Sequence, residues 1–394
     1  MIQIDSPTPL PSRAVVKNRR RLFSIGLPAC NDPAERRFPL TPEGAAMLIE
    51  QGFDIKMEKG ASATIHYTDA QYTAAGVAVT SRHEALGADI VIHLAPLPPR
   101  DIARLRRGGV LLTLFSLCRQ TYDSVRALLD RHIIAVAIDL IKDERGQTPF
   151  ADILAEIDGR AALSRAASLL ADSIHGKGIL LGGVAGIVPC EVTVIGSGIA
   201  ARAAARSAAG AGALVRMFDH DAYRLRDAQR ELGPAVVTSA LHPRVLAGAL
   251  RSADVVVYTG VTPAPQIGAD TVQTMKRGVI IFDLTSDCGN AFPSLPAIDL
   301  ALASPLDISP TESSRACYVN AGSSVPRTAA MALSNTFITL MSQLVDCEGM
   351  TNALKLLPGL QCAAYTFLGK SVNRAIAAIA RERHFDISIY LTLS

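Results

Sequence analysis

The segment "VTVIGSGIAARAAARSAAGAGALVRMFDHD" holds the residues whose types and spacing most clearly point to chemistry. An apolar run, Val192 to Ile195, leads into Gly196, Ser197, Gly198 and Ile199, and Ala201 follows. The first glycine permits a tight turn after a strand, and the second lets a pyrophosphate approach the backbone. Ala201 allows the following helix to pack closely on the strand. The helix start offers unpaired N–H groups and the positive end of its dipole to an anion. A second strand ends in Asp219, about twenty residues on, where a carboxylate accepts both ribose hydroxyls and repels a 2′-phosphate. The spacing therefore predicts a dinucleotide site that takes NAD rather than NADP.

A second stretch raises a different question. In "VIHLAPLPP", His93 sits inside an apolar run that three prolines terminate. A histidine there is either a hydrogen-bonded core residue or a proton-handling group facing a cleft. The residues around it leave both readings open.

The elements that must position these groups alternate along the chain. "RLFSIGLPA" reads as a strand, and "TPEGAAMLIEQG" as a helix with Thr41 at its N-cap, Pro42 in its first turn and Gly52 at its end. Strand and helix patterns then alternate through "FDIKMEKG", "TDAQYTAAG", "VAVT", "HEALGADIVIHLAP", "GGVLLTLFS", "YDSVRALLDRH" and "IIAVAIDLI". That order predicts a largely parallel sheet covered by helices. "ADILAEIDGRAALSRAASLLADSIHG" is one long helical pattern able to bridge two domains. After a glycine-rich turn a second α/β series runs from "CEVTVIGSG" to "GVIIFDLT". From Pro326 the tail reads as helical.

The chain has 394 residues, 49% of them hydrophobic and 19% charged, enough for two domains with substantial cores. A net charge of +3 gives no global case for nucleic acid. Lys17 to Arg21 is a short basic run beside a Pro/Ser-rich start, read as a solvated arm. No signal-like segment and no apolar run of membrane-spanning length is present in the sequence given. The seven cysteines are scattered without a C-x-x-C pair, which suits a reducing cytoplasm and points to neither a disulfide framework nor structural zinc.

Five collinear segments carry a family resemblance: "ERRFPLTPEGAAMLIEQGFDI", "LAEIDGRAAL", "GILLGGVAGIVP", "MKRGVIIFDLTSDCGN" and "NAGSSVPRTAAMALSNT". Together they resemble the alanine dehydrogenase / transhydrogenase α-subunit superfamily. The dehydrogenase branch fits better, because the connection after Asp219 has no room for the long mobile loop of the transhydrogenase subunit. Saccharopine dehydrogenase is a more distant relative with the same plan. The resemblance implies an α/β fold of two Rossmann-like domains, parallel sheets flanked by helices, with the active-site cleft between them. The substrate domain would comprise residues 1–149 plus 326–394, and the NAD domain residues 150–325. It also implies a homo-oligomer, while the charge balance, the apolar runs and the cysteine spacing point to no nucleic-acid, membrane or metal partner.

Carried across residue by residue, Arg37 matches the arginine that binds a substrate carboxylate, and guanidinium–carboxylate geometry agrees. Asp287 matches the acid beside the nicotinamide. Asn320 matches an asparagine of the loop that contacts NAD, Arg224 a basic position near the adenosine ribose, and Val261 a main-chain position passing the cofactor. Two positions depart from the pattern: Ala95 falls where the family has a catalytic lysine, and Ser116 where it has a histidine. On an extended strand residues 93 and 95 share a face, so His93 is expected beside the lost lysine. Ser116 would add a hydrogen bond there, and nearby Arg119 a positive charge. The expected activity is NAD-dependent hydride transfer at a small carboxylate-bearing carbonyl, imine or amine carbon other than alanine or pyruvate. An imine or opine-type reductase and a non-redox NAD sensor are the alternatives.

Overall fold

The computed structural model describes residues 23–265, 267–285, 291–303 and 315–393. Asp287 lies outside them. The described chain forms two mainly parallel sheets, each covered on both faces by helices, which is the α/β architecture expected.

The first sheet is built on β1 (Ser24–Leu27), β2 (Asp54–Glu58), β3 (Ala78–Thr80), β4 (Ile90–Ile92), β5 (Val110–Thr113) and β6 (Ile134–Ala137), all parallel. The second contains β7 (Glu191–Ile195), β8 (Leu214–Asp219), β9 (Val236–Ala240), β10 (Val255–Tyr258), β11 (Ile280–Asp283), β12 (Ala297–Asp299) and β13 (Cys317–Val319), in the order β12-β13-β11-β10-β7-β8-β9. Burial on both faces explains the unbroken apolar runs. In β10, Val255 and Val257 face one core while Val256 and Tyr258 face the other.

The tail departs from its helical reading. After the helix Pro326–Asp346, the chain returns as β14 (Ala364–Phe367) and β15 (Lys370–Ser371) and completes the first sheet in the order β15-β14-β6-β5-β4-β1-β2-β3. β14 runs antiparallel to β6, with a register shift between Ala364 and Thr366. Thr366 is fully buried there, and its hydroxyl donates to Ile133 O at 2.9 Å. The hairpin turns at Leu368 (φ 46°) and Gly369 (φ 84°). A leucine at positive φ hides a turn that Asn-Gly would have announced.

One helix, Pro149–Ala171, ties the two cores together. Phe150 and Leu154 pack in the first core, with Phe150 edge-on to Phe337 at 4.8 Å, and Ala161 to Leu170 pack in the second. It crosses the helix Ile199–Gly210 so closely that a Cβ on Gly159 would lie 2.2 Å from Ala200 O. No helix among the described residues is long and apolar enough to cross a membrane.

Candidate active site

Both sheets place their functional loops at the carboxyl ends of parallel strands, where such folds bind ligands. In the second sheet the strand order reverses at β7, whose end carries the glycine turn. Gly196 has φ 116°, and a Cβ there would lie 2.1 Å from Thr259 Oγ1, so only glycine makes this turn. Gly198 is the N-cap of the helix Ile199–Gly210, and a Cβ on it would meet nothing within 4 Å. That open space above a helix start suits a pyrophosphate. Ile199 is the first helical residue and is 40% exposed.

Asp219 closes β8 beside this turn. Its Oδ2 accepts the hydroxyl of fully buried Ser197 at 2.6 Å, and its Oδ1 accepts the Asp221 N–H at 3.0 Å. These two bonds fix the carboxylate, and each oxygen keeps a lone pair for a ribose hydroxyl. Arg224 lies at the exposed start of the next helix, 3.7 Å from Asp221, and Val261 follows β10 on the same edge. The set fits an adenine dinucleotide: an open cradle, free helix-start donors and an anchored acid.

A cavity of about 490 Å³ opens at the carboxyl ends of strands from both sheets. Arg37 and Glu35 enter it from the loop after β1, at the point where the first sheet's order reverses. Ser116 and Arg119 come from the loop after β5, and Asp139 from the end of β6. The second sheet contributes Leu284, Asp299 and Asn320, while Ala151, Leu154, Ala155 and Asp158 line it from one face of the bridging helix. The i, i+3, i+4, i+7 spacing of those four sets them on one side.

Arg37 is not an isolated cation. Glu35 takes the Arg37 Nε–H at 2.8 Å and a second N–H alongside, and its Oε1 also accepts the Arg37 backbone N–H at 2.9 Å. Arg119 pairs with Asp32. Asn320 adopts φ 60°, and its amide donates to Ala34 O at 2.7 Å and to the Asp299 carboxylate. It thereby joins the second sheet's loop to the segment carrying Glu35 and Arg37. Cys118, beyond Ser116, is disulfide-bonded, a pairing the scattered spacing does not announce.

His93 does not reach this cavity, which corrects its expected place. β4 stops at Ile92, because Pro96 and Pro98 lack the N–H donors a longer strand needs. The chain bends at Leu94 and Ala95, just after His93, and the 93/95 alternation is lost. The imidazole is 4% exposed, and its Nδ1–H donates to Ala95 O at 2.5 Å. Burial pushes its pKa below the ordinary histidine value, so the ring is a neutral core group. A depressed folded pKa means stability is fully present above pH 6.5 and is lost as pH falls from there through the folded value. His93→Asn keeps a donor and cannot titrate. Its urea midpoint should fall less between pH 7 and pH 5 than the wild-type midpoint, the difference in slope being at most about 1.4 kcal/mol per pH unit. Identical slopes would mean that His93 does not titrate on unfolding.

The sequence reading singled out neither Glu35 nor Asp158. Burial raises the Asp158 pKa to about 6, against the lowering effects of Arg37 and of a hydrogen bond from Gly322 N–H. A Cβ on Gly322 would lie 2.1 Å from Asp158 Oδ1, so a glycine is needed for that approach. The available signal was an acid seven residues after Ala151 on a small-residue helix face, next to a tightly packed glycine.

Comparison with known proteins agrees with this geometry. Residues 26–157 match the family "Alanine dehydrogenase/PNT, N-terminal domain", and residues 162–374 match "Alanine dehydrogenase/PNT, C-terminal domain". The chain is 29% identical over 369 residues to an alanine dehydrogenase of Mycobacterium tuberculosis, covering 90% of this chain and 95% of that one. Its fold is similar to that of a solved L-alanine dehydrogenase (TM-score 0.78, 24% identity, 90% and 98% of the two chains). It is also similar to the fold of a transhydrogenase from Sinorhizobium meliloti (TM-score 0.71, 20% identity, 89% and 99%).

Proposed function

The chain belongs to the alanine dehydrogenase/PNT family, and from that premise we propose that it is an NAD-dependent oxidoreductase acting on a small carboxylate-bearing carbonyl, imine or amine carbon other than that of alanine or pyruvate. One observation carries the proposal. The open glycine turn with its anchored Asp219 lies on the carboxyl edge of the second sheet, and that edge also lines the cavity holding Arg37.

NAD bound at that turn supplies the hydride chemistry. Gly198 and the helix start hold its pyrophosphate, and Asp219 holds its adenosine ribose. Arg37 meets the substrate carboxylate with a guanidinium whose orientation Glu35 fixes. Asn320 fixes the distance between the two loops. The substrate half would comprise residues 1–149 plus 326–394, and the cofactor half residues 150–325. Alanine and pyruvate are disfavoured because Ala95 and Ser116 stand where the resemblance calls for lysine and histidine. The proposal includes a homo-oligomer. It is supported by a strip in which Ile174, Leu180, Val184, Ile187 and Val188 are 52–82% exposed, an apolar surface suited to subunit contact.

The test follows NADH consumption against 2-oxo acids of increasing size, each alone, with ammonia and with primary amines. Turnover on one class, exceeding that on pyruvate with ammonia, is the expected result. No turnover on any pair, with NADH still binding in a fluorescence titration, would overturn the oxidoreductase reading. Faster turnover on pyruvate with ammonia than on every other pair would overturn the substrate assignment.

A further inference from the structure

We propose that Asp158 is the catalytic residue that exchanges a proton with the reacting heteroatom of the substrate; this rests on the oxidoreductase reading above. The reduction of a carbonyl or imine needs a proton at oxygen or nitrogen as well as a hydride at carbon. The described lining of the cavity contains neither lysine nor histidine. A carboxyl group is suited to this work, and the cavity offers four among its described residues.

Three of them are held in other bonds. Glu35 grips Arg37 along one edge. Asp139 accepts the Phe115 N–H at 2.8 Å and anchors the loop after β5. Asp299 accepts the Ala301 N–H at 2.8 Å and the Asn320 amide. Asp158 has a different setting. It projects from the bridging helix into the cavity, and a single backbone donor, Gly322 N–H, bonds it. Helix placement keeps it in position while loops on either side adjust.

The charged groups around it explain its proton affinity. Arg37 favours its carboxylate, and Glu35 opposes it more weakly. Arg119, Asp139 and Asp299 line the same cavity, and Arg119 is paired with Asp32. Desolvation then dominates and favours the neutral acid, a group poised near the working pH for proton transfer.

The step balances as follows. In the reductive direction the substrate carbon gains a hydride from the reduced dinucleotide. The π electron pair of C=O or C=N moves to the heteroatom, which takes the proton from the Asp158 carboxyl. Asp158 is left as a carboxylate and regains a proton from water. Oxidation runs the same steps in reverse, with the carboxylate as base.

The test uses the full-length protein, wild type and Asp158→Asn. Asparagine still accepts the Gly322 N–H, so the fold should persist, and circular dichroism with a urea midpoint checks this. The first measurement is a carbon NMR titration of aspartate carboxyls without cofactor. One resonance should titrate near pH 6 and be missing in the variant. The second is kcat against pH on the substrate the panel identifies. The variant should lose about 100- to 1000-fold in reductive kcat, with KM changed less than about threefold. It should also lose the fall in rate that the wild type shows as pH rises through about 6. An unchanged pH profile, or an Asp158 that titrates in the ordinary carboxylate range, would overturn the proposal while leaving the oxidoreductase reading intact. If the wild type turns over nothing although Asp158 titrates near 6, the oxidoreductase reading fails and the catalytic assignment fails with it.

Discussion

Arg37→Ala should lower the free energy of unfolding by about 3–5 kcal/mol, a large share of the stability of a typical domain. The cause is the partner left behind. The Glu35 side chain is 4% exposed and that of Arg37 13%, and they meet along one edge of the guanidinium. Removing the cation leaves a carboxylate that is largely buried without its charge partner. The double variant Glu35→Gln/Arg37→Met removes both charges and keeps the volume, so it should recover much of the loss. Urea unfolding of the three proteins measures this. A single variant within about 1 kcal/mol of wild type would mean that the buried pair does not hold this part of the fold. The same substitution also removes the charge that lowers the Asp158 pKa. In Arg37→Ala the carboxyl that titrates near 6 should therefore move up.

The second large effect concerns cofactor choice. Asp219→Asn should weaken NADH binding by about 10- to 100-fold, the worth of one or two hydrogen bonds to a charged group. It should also raise the affinity for NADPH relative to NADH by about a hundredfold or more. Two unit charges 4 Å apart repel by about 4 kcal/mol at an effective dielectric of 20, and a 2′-phosphate carries more than one. Asparagine keeps an acceptor for the buried Ser197 hydroxyl, so the fold should hold. Parallel fluorescence titrations with NADH and NADPH give both quantities. An unchanged ratio would show that Asp219 does not face the ribose.

How much of this was legible in the sequence depends on what fixed each feature. Gly196, Gly198 and Asp219 could be read because backbone geometry alone dictates them: a positive φ, an open helix start and a strand-end acid. Arg37 could be placed by its motif, but its bond to Glu35 is set by a loop that no periodicity describes. His93 was misplaced because strand alternation was extended through residues that the following prolines bend away. Asp158 looked like one more polar residue on an Ala-rich helix. Its meaning depends on Gly322, 164 positions later in the numbering, closing over it. β14 and β15 were hidden by a leucine at positive φ and by a buried threonine.

The return of the tail to the first sheet sets the order in which the chain can mature. The second sheet is drawn from one continuous stretch, β7 to β13, and can close as soon as that stretch is made. The first sheet is begun earlier and finished later, because β14 reaches β6 only after residue 364 has been synthesised. Until then β6, buried on both faces in the finished protein, is a bare strand edge open to foreign pairing. At roughly 5–20 residues per second that exposure lasts on the order of 10 seconds or more on the ribosome. The half of the molecule begun first is thus the half that needs protection longest, and a chain released before its hairpin is made keeps that edge exposed.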